Sequence, residues 1–142
     1  MKGHFFSILV CIVGGAVQTT ADEVPADGGM LFEKHCARCH GTDGTGNGNA
    51  SGNLNTRPPD LTKIAARRDG VWPMLEVMSI VDGYTKQTTP REEMPLISAL
   101  TDGPVVEFDT GNGLFTEVPA RLIAVANYLE SIQSPKPERY VP

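Results

Sequence analysis

Residues 36–40 read Cys36-Ala37-Arg38-Cys39-His40. Two thiols one helical turn apart can cycle between dithiol and disulfide, supply part of a zinc site, or be alkylated by the two vinyl groups of one porphyrin. A redox C-x-x-C motif sits near a βαβ pattern, and residues 22–35 carry no strand pattern. A structural zinc site needs ligands at tetrahedral separation, usually from a second pair. Beyond the N-terminal segment, the other candidate ligand is His35, directly before Cys36 and badly placed to complete a tetrahedron. The imidazole that follows the second thiol decides the matter. C-x-x-C-H is the spacing of c-type haem attachment: both thiols reach one porphyrin, and His40 points at the iron from the proximal side. The expected cofactor is one haem c, bound covalently through Cys36 and Cys39, with His40 as a metal ligand.

The opposite face of the iron calls for a thioether on an extended loop. Met74, Met78 and Met94 are the candidates beyond the first helix. Met74 and Met78 fall on a predicted helix and read as core. Met94 lies in the irregular stretch YTKQTTPREEMPLI and is followed by Pro95, so it is the second expected metal ligand. Methionine ligation raises the reduction potential relative to more basic ligands. With both axial positions filled, the iron exchanges electrons and does not readily bind a substrate.

The segment from Asp27 to Gly41, DGGMLFEKHCARCHG, resembles the start of a class I cytochrome c. The resemblance extends over about residues 27–133 and implies an all-α fold of about 4–5 helices wrapped round one haem. It implies that Gly28 and Phe32 pack against the C-terminal helix, at positions matched here by Val125 and Tyr128. It implies a late Met-Pro loop carrying the ligand, which Met94-Pro95 matches. It also implies that a proline carbonyl accepts the hydrogen bond of the proximal histidine; Pro58 or Pro59 could do so, and Pro58 is favoured. A β-hairpin between the methionine loop and the last helix is a departure from the plainest members of that family.

The elements that must position these residues follow from local signals. Asp27 is a candidate N-cap for a helix reaching Cys39. Residues 41–57, rich in Gly, Asn and Thr, form a loop that lacks the Gly-Lys-Ser/Thr ending of a phosphate cradle. Short helices are expected from Leu61 to Arg68 and from about Trp72 to Val81. Trp72 is either a wedged core aromatic or a donor, through its indole N–H, to a haem propionate. Residues 104–118 alternate around Gly111-Asn112-Gly113, a hairpin signature. Leu122, Val125, Leu129 and Ile132 make one apolar stripe of a last helix ending near Ser131.

Composition narrows the function classes. The 142 residues suit one domain, and the net charge of −5 comes without a basic stripe, so no nucleic-acid partner is expected. Met1 to Ala21 has a basic start, a short apolar run and small residues before Asp22-Glu23, the layout of a secretory signal peptide. The run is short for a membrane helix; an uncleaved anchor is the alternative. The third cysteine, Cys11, falls inside this segment. The expected division is a signal peptide over 1–21, a cytochrome domain over 22–135 and a loose tail over 136–142.

These features add up to a periplasmic, monomeric electron carrier rather than an enzyme, serving redox partner proteins of unknown identity and lacking a membrane span once mature. A haem-bearing subunit of a periplasmic dehydrogenase complex is the alternative. An open-site haem enzyme or gas sensor ranks third.

Overall fold

A computed structural model describes residues 26–84 and 94–141. The expected export segment 1–21, and residues 85–93 of the loop before Met94, lie outside the described residues. Five α-helices lie among those described: α1 (Gly28–His35), α2 (Ala37–His40), α3 (Met74–Val81), α4 (Ser98–Thr101) and α5 (Ala120–Ser131). Four short strands accompany them: β1 (Val71–Pro73), β2 (Val105–Asp109), β3 (Phe115–Pro119) and β4 (Arg139–Val141).

Helix α1 starts where Asp27 predicts. The Asp27 Oδ1 accepts from the Gly29 and Met30 amides at 2.8 and 3.1 Å, satisfying two donors that a helix start leaves open. The expected single helix to Cys39 is broken at Cys36, whose φ of −115° interrupts the run, and α2 resumes as one turn. The segment Leu61 to Arg68 is likewise two 3-10 turns, Leu61–Lys63 and Ala66–Arg68. Helix α3 begins at Met74, two residues later than expected, because Trp72 and Pro73 belong to β1.

The core forms where α1 and α3 meet α5. Met74, Val77, Met78 and Val81 line one side of α3, and Leu122, Val125, Ala126 and Leu129 line one side of α5. Both sets recur at helical spacing. Gly28 has α5 backbone so close that an added Cβ would meet the Ala124 carbonyl and lie 3.0 Å from the Tyr128 Cβ. One turn on, the Phe32 ring lies 5.1 Å from that of Tyr128, tilted by 41°. The crossing implied by the family resemblance is present, with Ala124 and Tyr128 as the direct contacts.

The hairpin also forms. Strands β2 and β3 pair antiparallel, with Glu107 opposite Glu117 and Asp109 opposite Phe115. The other sheet was not expected. Strand β4 pairs in parallel with β1, Arg139 opposite Val71 through Val141 opposite Pro73. The tail is tied by backbone bonds: the Glu138 amide donates to the Gly70 carbonyl at 2.8 Å, and the Ser134 amide to the Thr62 carbonyl at 2.9 Å.

Gln133 holds this corner together. Its side chain is 5% exposed. It accepts from the Ala65 amide at 3.0 Å and donates to the Leu61 and Leu129 carbonyls at 2.8 and 2.7 Å. Gln133→Leu removes these partners while keeping most of the volume, so it should destabilise by on the order of 2–4 kcal/mol. Chemical denaturation of the two proteins checks this; an unchanged midpoint would contradict the role.

Candidate functional site

The C-x-x-C-H residues straddle the α1–α2 break. Cys36 is the hinge, and Cys39 and His40 end α2. The two thiols are unbonded and half-buried. Burial, and then the neighbouring Cys39, push the Cys36 thiol up to about 11. A thiol activated for dithiol exchange is instead lowered towards neutrality.

The Gly-rich loop closes on the free end of α2. The Gly46 amide donates to the His40 carbonyl at 2.7 Å, Gly48 to Cys39 at 3.2 Å and Ala50 to Arg38 at 2.9 Å. These bonds satisfy the carbonyls that a helix end leaves open and fix the backbone that carries His40. The approach is too close for side chains at two positions. A Cβ at Gly46 would meet the Pro58 carbonyl, and one at Gly48 the carbonyls of Arg38 and Ala37.

Burial lowers the His40 imidazole below its ordinary range, which favours the neutral form that binds metals; the Pro59 carbonyl opposes the shift to a lesser degree. The carbonyl beside the ring is thus that of Pro59, while the favoured Pro58 turns its own carbonyl towards Gly46. Pro58 itself is buried and Pro59 exposed. The Pro59 contact falls short of a full hydrogen bond, since the buried His40 Nδ1 has no partner of hydrogen-bond geometry.

Trp72 is 1% exposed and belongs to the core cluster, which fits the core reading. Its Nε1 is nonetheless buried without a hydrogen-bond partner. Such a donor is costly unless something accepts from it. Met94 is half-buried and packs against the same cluster, while Met74 and Met78 are 8% and 4% exposed within it. Two residues on, Leu96 lies directly over Gly83, where an added Cβ would strike its Cδ2. Gly83 has a φ of +86°. The end of α3 and the Met94 segment therefore touch through a contact that no motif announces.

The helical core, the paired thiols and the adjacent imidazole define a small protein built around a covalently attached haem. The cytochrome c family model matches residues 25–102, more than half of the chain, and the chain belongs to that family. No curated protein and no solved structure shows significant similarity to it. Cytochromes c carry haem c, and Cys36 and Cys39 fit its attachment. The residues present fit the group: the thiols are unbonded to each other, and the buried Trp72 Nε1 is an orphaned donor. Family membership implies haem-based electron transfer, exchanged with redox partners, in proteins that are typically carriers rather than enzymes. No described helix is long and apolar enough to cross a membrane.

Proposed function

We propose that this protein is an exported, monomeric electron carrier in which His40 and Met94 are the two axial ligands of one haem c. The observation that carries the His/Met assignment is the division among the methionines. Met74 and Met78 are core residues on one face of α3. Met94 packs on that core from irregular backbone, where a thioether can be presented without disturbing a helix. In this reading Cys36 and Cys39 hold the haem, Pro59 orients the His40 ring, and Trp72 Nε1 donates to a haem propionate. The haem supplies the one-electron chemistry; the chain sets its orientation, burial and access.

Residues 1–21 are the export signal in this proposal, and the domain over 22–135 works in the periplasm. A haem-bearing subunit of a periplasmic dehydrogenase is the second reading. It draws support from the exposed apolar side chains of the hairpin, Leu114 and Phe115 at 65% each.

Absorption spectroscopy tests the site. The ferric holoprotein should be low-spin, show the weak far-red band of sulfur ligation and bind carbon monoxide poorly when reduced at neutral pH. High-spin spectra and ready carbon monoxide binding would instead indicate an open sixth position. Cys39→Ser should leave a single thioether, shifting the pyridine haemochrome band to longer wavelength, or stop maturation. An unchanged haemochrome would contradict attachment through Cys39.

A further inference from the structure

We propose that the outward face of the β2–β3 hairpin is a docking surface for a cationic patch, with an apolar centre, on a redox partner protein. The proposal rests on the family's dependence on redox partners, and it goes further by placing one contact surface and stating the partner's chemistry.

The register sorts the hairpin into two faces. Residues directly opposite each other point the same way, so Val105, Glu107, Asp109, Phe115, Glu117 and Pro119 share one face. Phe108 and Val118, on the other face, pack against the core cluster. The outward face is therefore not needed to hold the hairpin to the body. All but the half-buried Pro119 are exposed, Val105 at 49% and Phe115 at 65%.

That face combines two features that work against solubility and local stability. Glu107 and Glu117 are directly opposed, and like charges at such positions destabilise a sheet. Asp109 adds a third carboxylate on the same side, next to an exposed aromatic ring. The hairpin carries no base of its own: residues 102–120 contain Asp102, Glu107, Asp109 and Glu117 but no Lys, Arg or His. The ion pair among the described residues is elsewhere, between Arg68 and Glu76. The nearest base in sequence, Arg121, is engaged with the Ala99 and Asp102 carbonyls at 3.3 Å each.

Charge complementarity selects the occupant. A second copy of this chain would set these carboxylates against themselves, and an anionic lipid surface or nucleic acid would be repelled. A protein patch of Lys and Arg around an apolar spot satisfies both features. The carboxylates would steer the encounter, and Phe115 would be the aromatic anchor, a residue type enriched at interface centres.

The test uses the isotope-labelled holoprotein at low ionic strength, titrated with a short peptide in which lysines flank Leu-Trp and followed by amide shift mapping. The expected shifts centre on Val105, Glu107, Phe115 and Glu117 and fade as salt is raised. The double variant Glu107→Gln/Glu117→Gln should bind about three- to tenfold more weakly, as expected for the loss of two exposed pairs. Its thermal midpoint should stay the same or rise, because a repulsive pair has been removed. Phe115→Ser should also weaken binding while leaving the haem spectrum unchanged. Shifts mapping elsewhere, equal binding of the same peptide with glutamates for lysines, or parental affinity in the double variant would overturn the proposal. So would binding to phosphatidylglycerol vesicles, or a dimer abolished by Phe115→Ser. The haem spectrum is read independently, so failure of this surface is distinguishable from failure of the carrier reading.

Discussion

Met94→Ala should abolish the far-red band of the ferric protein and lower its reduction potential by on the order of tenths of a volt, within the roughly 0.8 V that axial ligands span. A thioether favours the ferrous state relative to harder donors; alanine offers no donor, so water or another side chain must take its place. The control lies in the core. Met74 and Met78 are 8% and 4% exposed, and Met→Ala at either should cost about 2–5 kcal/mol through the cavity left behind. Both of those variants should retain the band below their lowered unfolding temperatures. The three proteins therefore separate ligation from packing: one should lose its potential, the others their stability. Retention of the band in Met94→Ala, or its loss in Met78→Ala at a temperature where that variant is folded, would move the ligand elsewhere. Leu96, two residues after Met94, contacts Gly83 just past the end of α3.

Signals confined to a few neighbouring residues are legible in the sequence. The C-x-x-C-H spacing needs five residues, the Asp27 cap three, and the hairpin turn is marked by Gly111 and Gly113, which adopt φ of +81° and +78°. The stripe on α5 was readable because its burial repeats at 3.6 residues. What escaped has no such local trace. Strand β4 is three residues long and pairs with β1 through backbone groups, which carry no side-chain signature. Gln133 resembles any polar residue after a helix until Ala65 and Leu61 come within reach of it. The break at Cys36 interrupts a run whose apolar spacing favours continuity; the backbone turns there, and the loop over 41–50 returns to bond the carbonyls of α2. The choice between Pro58 and Pro59 turns on which carbonyl faces His40, a single peptide orientation that sequence does not encode in an obvious way.

Gly28→Ala should lower the thermal midpoint of the holoprotein by on the order of 10 °C, whereas Gly29→Ala should leave it nearly unchanged. The two glycines are adjacent in α1 and equal in helix propensity, so only their surroundings differ. A Cβ at Gly28 would fall on the Ala124 carbonyl and press the Tyr128 Cβ at 3.0 Å. Backbone cannot yield by rotamer change, so α1 must move away from α5, at an overpacking cost of about 1–3 kcal/mol. At roughly 3–5 °C per kcal/mol, between the values for smaller and larger domains, the shift is easily measured. At Gly29 the nearest atoms are the Asp27 Oδ1 and the edge of the Tyr128 ring, each at 3.3 Å, and a ring can give by a few tenths of an ångström. The gain in helix propensity, below about 1 kcal/mol, offsets that contact. The consequence reaches the site because α1 runs directly into Cys36. Tilting α1 strains the contact of Phe32 with Tyr128 and shifts the backbone from which both thiols and His40 are presented. Gly28→Ala should therefore also lower the yield of haem-loaded protein at a given level of expression. Equal midpoints and equal haem content for the two variants would show that the α1–α5 crossing does not set the position of the attachment motif.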